Sequence, residues 1–323
     1  MAQTDTSGVG GGRQQWPDLP EATRSEIERR LGDPVVSAVS LPGGFSPGLA
    51  SRLTLAGGST VFVKAVSPAL NPESPAFHRR EATIAAALPA DAPAPRLLWS
   101  FDEGAAGWVV LAFEAIDAAS PPLPWRPADL DRVIAAIDAL GESLTPSPVP
   151  DTVTGRAEDW NLIRIPRWSW MRDAPPEGLD NWSLRHLDLL VRAEEGRMEA
   201  ARDETLLHLD LRADNMLLTA DRVLIVDWPH ARIGAPFIDL VGFAPSLAMQ
   251  GGPAPDELFR RSVTGRATDP DRLRPVVAAI AGFFTMASLG DPVPGLPTLR
   301  AFQAAQAVEA RRWLARLIEV EPE

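Results

Sequence analysis

Between Val35 and Phe113 the apolar positions fall in short runs, several of them alternating with polar ones. Period-two alternation is the mark of a strand with one face in a core. The pattern predicts strands over Val35–Leu41, Ser51–Leu55, Val61–Val66, Arg96–Ser100 and Trp108–Phe113. Gly57-Gly58 supplies a hairpin turn between two of them. A short helix is predicted over Pro20–Leu31 and a second over Pro75–Leu88. The sum is a small antiparallel sheet with one packed helix.

After Phe113 the pattern changes. Ala118–Pro127 (AASPPLPWRP) is rich in Pro and Ala and predicts a linker or extended loop. Beyond it the apolar spacing becomes helical over Ala128–Leu144, Asn181–Ala201, Asp256–Ser262, Asp269–Met286 and Leu299–Ile318. In the last of these, Ala310, Trp313, Leu314 and Leu317 form a core-facing stripe. One β-segment, Met216–Asp227, interrupts the helices. The expected class is α+β, in two lobes. Residues 1–16 read as a disordered leader, 17–113 as the β-rich lobe, 114–127 as hinge and linker, and 128–323 as the helical lobe.

Composition narrows the function classes. The 323 residues are 45% hydrophobic and 23% charged, as in ordinary globular proteins. The net charge of −12 offers nothing to a polyanion, so no nucleic-acid partner is expected. No cysteine is present, which removes disulfides, thiolate metal sites and thiol nucleophiles. The first fifteen residues lack the apolar stretch of an export signal, and no apolar run is long enough to span a bilayer. A cytoplasmic enzyme or binding protein without a membrane partner is the expectation. Of the 31 basic residues, Lys64 alone is a lysine. A compact ammonium on a flexible stem is not interchangeable with a planar guanidinium. A chain that otherwise uses only Arg therefore points to a specific demand at Lys64.

The chemistry gathers in residues 206–227, LLHLDLRADNMLLTADRVLIVD. Apolar runs Met216–Leu218 and Val223–Val226 flank a turn, which makes a hairpin. Folding it about Ala220 and Asp221 sets Asn215 opposite residue 226 or 227. An amide oxygen and the Asp227 carboxylate then meet at the open end, and two hard oxygens with room for phosphate and water suit Mg²⁺. Asp210, in the loop entering the hairpin, can serve as base or orienter for an attacking hydroxyl. Taken singly, Asp210 and Asn215 also read as turn-forming residues. With Asp227 on the opposite strand, the three together read as a site. Glu81 lies in an apolar stripe with Phe77, Ile84 and Leu88. A carboxylate on a buried face needs a partner, and Lys64 is the natural one.

His208-Leu209-Asp210-Leu211-Arg212-Ala213-Asp214-Asn215 resembles the catalytic loop of the protein-kinase-like superfamily, in its aminoglycoside phosphotransferase and small-molecule kinase branch. The resemblance implies a bilobal kinase-like fold and transfer of the ATP γ-phosphate to a hydroxyl. It implies Asp210 acting on the acceptor hydroxyl, Asn215 and Asp227 holding Mg²⁺, and Lys64, paired with Glu81, on the α- and β-phosphates. Arg212 stands where protein kinases carry a lysine near the γ-phosphate; a solvated loop arginine is the alternative. The loop 41–48, with Gly43, Gly44 and Ser46, would bring main-chain N–H groups to phosphate, and the segment around Phe113 and Ala115 matches the hinge that holds adenine. His208 and Asp239 match structural residues of the branch. The family usually has Gly where Leu209 stands, and Asp227 is followed by Trp228-Pro229 rather than Phe-Gly. That disfavours a protein kinase. The implied cofactors are ATP and Mg²⁺, and the implied partner is a small-molecule hydroxyl acceptor, an aminoglycoside or other antibiotic among the candidates. A metabolite kinase acting on an amino alcohol or sugar, and a non-catalytic nucleotide-binding protein on the same fold, are the alternatives. The protein would be a monomer or homodimer. Asp159–Trp182, with four Trp and four carboxylates, is the candidate acceptor wall, and the acid run Glu194–Glu204 reads as a solvated helix face.

Overall fold

The computed structural model describes residues 14–41, 48–293 and 296–322. The chain divides into two compact units. The first runs up to Ala90 and takes in Ala94–Ala118 and Val226–Pro229; the second holds Asp91–Pro93, Ala119–Ile225 and the chain from His230 onward.

The first unit is built on a five-stranded antiparallel sheet of β1 (Val35–Ser40), β2 (Leu49–Leu55), β3 (Thr60–Val66), β4 (Leu97–Asp102) and β5 (Val109–Glu114), in the order β1-β2-β3-β5-β4. Alternation in β3 decides which side chains go where. Val61, Val63 and Ala65 enter a core with Leu49, Leu53, Val110 and Ala112, closed by Leu19 and by Ile27 of the helix Glu21–Leu31. Phe62 faces the other way, with Leu111, Phe113 and the helix Ser74–Ala87. Lys64 shares the Phe62 parity and pairs in register with Leu111. The expected leader reaches into this unit: Trp16 opens a short 3-10 turn and packs against the core. Residues 1–13 of it lie outside the described residues, as do Gly43, Gly44 and Ser46 of the glycine loop.

The second unit is mostly helical. Its axis is Pro270–Ser288, buried along Val276–Ala281 and packed against Leu299–Leu317, Phe237–Met249 and Asn181–Glu194. Two small antiparallel ribbons flank the loop 208–215: β6 (Thr205–Leu207) with β9 (Arg232–Gly234), and β7 (Met216–Leu218) with β8 (Val223–Ile225). The helix Phe237–Met249 escapes periodicity because it is buried almost all round, which erases the amphipathic signal. The expected helix Asn181–Ala201 stops at Glu194 and resumes at Arg197; between them Gly196 takes φ +78°. The acid run is no solvated face at Glu194. That side chain is 2% exposed and accepts hydrogen bonds from the main-chain N–H groups of Trp168 (3.4 Å) and Ser169 (3.0 Å), at the start of helix Arg167–Asp173. Burial pushes its carboxyl above the ordinary range. Among the described residues, no helix is long and apolar enough to cross a membrane.

Candidate active site

In the first unit the single lysine meets two carboxylates. Lys64 Nζ donates to Glu81 Oε1 at 2.7 Å and to Asp227 Oδ1 at 2.8 Å. Its own parity in β3 turns it toward helix Ser74–Ala87, whose buried side includes His78, Glu81 and Ile84. The helix sits rotated from the expected stripe, so that Phe77 is 42% exposed. Burial works against the Lys64 charge, but the Asp227 and Glu81 carboxylates outweigh it and raise its pKa. Glu81 is also raised: burial and the like charge of Asp227 exceed the help from Lys64 and the Trp228 main-chain N–H. One cation between two carboxylates leaves a net negative charge in a confined place, which explains both directions. His78 packs on the same side and donates from Nδ1 to the Ser74 carbonyl (3.1 Å). Burial and the neighbouring Lys64 lower its pKa to about 4, so it is a neutral imidazole.

In the second unit the loop between β6 and β7 holds Asp210 by both oxygens. Arg212 Nη1 donates to Oδ1 at 3.1 Å, and Asn215 Nδ2 donates to Oδ2 at 3.0 Å and to the Asp210 carbonyl at 2.8 Å. His208, fully buried, accepts the Asp210 main-chain N–H on Nδ1 at 3.2 Å. Below the loop, Asp239 in the first turn of helix Phe237–Met249 accepts the N–H groups of His208 (2.9 Å) and Leu209 (2.7 Å). This buried carboxylate therefore shapes the loop through the His208 and Leu209 amides. Burial raises its pKa to about 6, against the two N–H donors.

The non-glycine residues with positive φ among those described are Leu209 (65°), Asp227 (71°) and Glu319 (57°). A side chain in this region costs about 1–2 kcal/mol. Leu209 thus takes a left-handed backbone conformation, and Asp239 holds its N–H there. Arg212 is no solvated arginine: only 13% of its side chain is exposed, and it also binds Asp214 through Nε and Nη2 at 2.9 and 2.8 Å.

The remaining predicted positions divide. Phe113 is part of the sheet core, with its ring 5.9 Å from Lys64 Nζ. Ala115 follows β5, and among the described residues its main-chain N–H and carbonyl make no hydrogen bond. The pairing of β7 with β8 ends at Met216↔Ile225, between Asn215 and Asp227 in the chain. Asn215 is buried, and both its side-chain hydrogen bonds use the amide nitrogen, so its oxygen stays available. An amide oxygen and a carboxylate are a hard donor set that fits Mg²⁺. Among the described residues no cluster of three or more His, Asp or Glu could hold a metal by itself.

Asp210 and Arg212 stand in the wall of a cavity of about 190 Å³ within the second unit. Trp160, Ile280, Phe283 and Phe302 make much of its apolar lining. Of the expected acceptor wall, Trp160 and Leu162 take part among the described residues. Trp168 and Trp182 are buried and donate to the carbonyls of Ala278 and Glu321, both at 2.8 Å, and Asp180 caps helix Asn181–Glu194. Sequence reading passed over Phe302, Gln303 and Gln306. The signal was there: Phe302 and Gln306 continue the stripe of Ala310, Trp313 and Leu314 backward at four-residue steps.

A family model described as a phosphotransferase enzyme family matches residues 38–276. The chain belongs to that family. Homoserine kinase of Methylobacillus glycogenes is 28% identical over 120 residues, 37% of this chain. The match spans about a third (34%) of that curated relative's length. Among solved structures, choline kinase LicA from Streptococcus pneumoniae superimposes with a TM-score of 0.59 at 14% identity, over 88% of this chain and 96% of its own. An aminoglycoside phosphotransferase, APH(4)-Ia, crystallised as a thermostable mutant with ADP and hygromycin B, gives 0.57 at 15%, over 92% and 98%. Identities this low establish the shared fold, which is the α+β, kinase-like one expected.

Proposed function

We propose that this family member transfers the γ-phosphate of ATP to a hydroxyl of a small molecule. The observation that carries the reading is the Asp210 carboxylate, held at both oxygens by Arg212 and Asn215, in the wall of a cavity. Asp210 accepts the acceptor's hydroxyl proton; the acceptor oxygen bonds to the γ-phosphorus as the bond to the bridging oxygen breaks, and ADP leaves with that electron pair. Lys64, set by Glu81, binds the α- and β-phosphates. The unbonded main chain at Ala115 supports adenine binding there. Asn215 and Asp227 would hold Mg²⁺, which when bound neutralises charge on the phosphates. Arg212 holds Asp210 in place. The relatives named above support ATP, a small-molecule acceptor, and an aminoglycoside as one acceptor to be tried.

The test is ADP release against an acceptor panel, with mass spectrometry for the added phosphate. Asp210→Asn is expected to keep ATP affinity within about twofold and to lose transfer by about 10²–10⁴-fold, the range for a general base. Transfer at the wild-type rate would remove Asp210 from the chemistry.

A further inference from the structure

The cavity beside Asp210 has features that its place in a kinase does not explain. Among the described residues its charged and amide lining is Asp210, Arg212, His230, Gln303 and Gln306, so Asp210 is the one carboxylate there, and Arg212 already pairs with it. Two of the four aromatic rings in the lining are taken as well. The Arg167 guanidinium lies 4.9 Å from the centre of the Phe283 ring, and that of Arg212 lies 5.9 Å from Phe302. A cationic guest would lack carboxylates, and two of the rings that could stack on it already face guanidinium groups.

Gln306 is the second observation. It lines the cavity, is 4% exposed, and its side-chain amide has no hydrogen-bond partner among the described residues. Gln303, by contrast, accepts from Arg300 Nη1 at 2.8 Å. An amide with no partner in the protein that lines a cavity is free to pair with what enters it. A neutral amide pairs best with a neutral hydroxyl or carbonyl. An engineered apolar cavity of about 150 Å³ takes up benzene, so about 190 Å³ holds a group of roughly ten heavy atoms at most.

Resting on the phosphotransferase reading, we infer that the acceptor is uncharged at the part that enters this cavity. It is a compact, largely apolar alcohol with a second hydroxyl or carbonyl read by Gln306, and not a polycationic aminoglycoside or a quaternary amine.

The experiment uses the full chain and four probes: 1,4-cyclohexanedimethanol, cyclohexylmethanol, choline and kanamycin. Affinity is measured by calorimetry and phosphate transfer by mass spectrometry. The neutral diol is expected to bind at least tenfold more tightly than choline or kanamycin. Gln306→Leu should weaken the diol about tenfold and leave the mono-alcohol within twofold. Gln306→Glu should shift preference toward choline. Tighter binding of choline or kanamycin than of both alcohols overturns the inference, as does binding of none of the four. So does Gln306→Leu lowering the Tm and weakening both alcohols alike, which would make Gln306 a packing residue. Gln306-dependent diol binding with no phosphate transferred to any probe upholds the inference and removes the phosphotransferase reading. Transfer to kanamycin or choline ahead of both alcohols does the reverse.

Discussion

A lysine can be rare in a chain for reasons of coding, but Lys64 is placed as if selected for its shape. Its one nitrogen donates to two carboxylates at 2.7 and 2.8 Å, with 15% of the side chain exposed. A guanidinium is larger and holds its donors in one rigid plane, so it does not reproduce the compact tetrahedral head that reaches both carboxylates here. Lys64→Arg is expected to fold and yet lose about 10²-fold or more in kcat/KM for ATP, the size of effect seen on losing one preorganised charge contact; steady-state kinetics on the purified variant decides it. That demand was legible in the sequence, as was the Glu81 partner, because a carboxylate inside an apolar stripe is conspicuous. The second partner is not legible there, because nothing in local spacing tells that Asp227 also binds Lys64. Gln306 was missed for the opposite reason, since an uncharged amide at the edge of a stripe attracts no notice.

Elements show where sequence periodicity holds and where it fails. The five strands and both helices of the first unit follow the expected order: β2 and β3 alternate in burial, while β5 is an unbroken apolar run buried on both faces. Phe237–Met249 is buried on nearly every side and gives no such contrast. Ribbons of three residues, such as β6 and β9, are too short to show a period. Two glycines mark breaks of different origin. Gly196 stands at φ +78° with nothing within 4 Å of where a Cβ would go, so Gly196→Ala meets backbone strain alone; about 1 kcal/mol of lost stability is expected. Gly234, in β9, would set a Cβ 2.5 Å from that of Ala157 and 3.0 Å from the Ala201 carbonyl oxygen. Gly234→Ala must push the ribbon aside, at a cost of about 2–3 kcal/mol. Urea unfolding of the two variants separates the cases; equal losses would mean that the close approach is relieved without cost.

At the scale of the whole molecule, two buried groups oppose each other as pH falls. His78 has its pKa depressed from 6.5 to about 4, so the stability of its neutral form is complete above pH 6.5 and is lost as pH falls through 4. Asp239 is raised from 3.8 to about 6, so its contribution is complete below pH 3.8 and is lost as pH rises through 6. Each shift corresponds to about 3 kcal/mol. Between pH 6 and 4 they nearly cancel. His78→Asn removes one side, and the variant should gain about 2 kcal/mol on the wild type between pH 7 and pH 4.5, measured by urea unfolding at both values. No change in that difference would mean that His78 titrates normally. Activity should still fall below pH 6, where a proton on Asp239 loosens its hold on the His208 and Leu209 amides. The chain also imposes an order in time. Val226–Pro229 belongs to the first unit although Ile225 and His230 on either side belong to the second. Asp227 emerges from the ribosome 163 residues after Lys64. At ordinary synthesis rates that is on the order of ten seconds or more, during which the lysine waits beside Glu81 with its second counter-ion still untranslated.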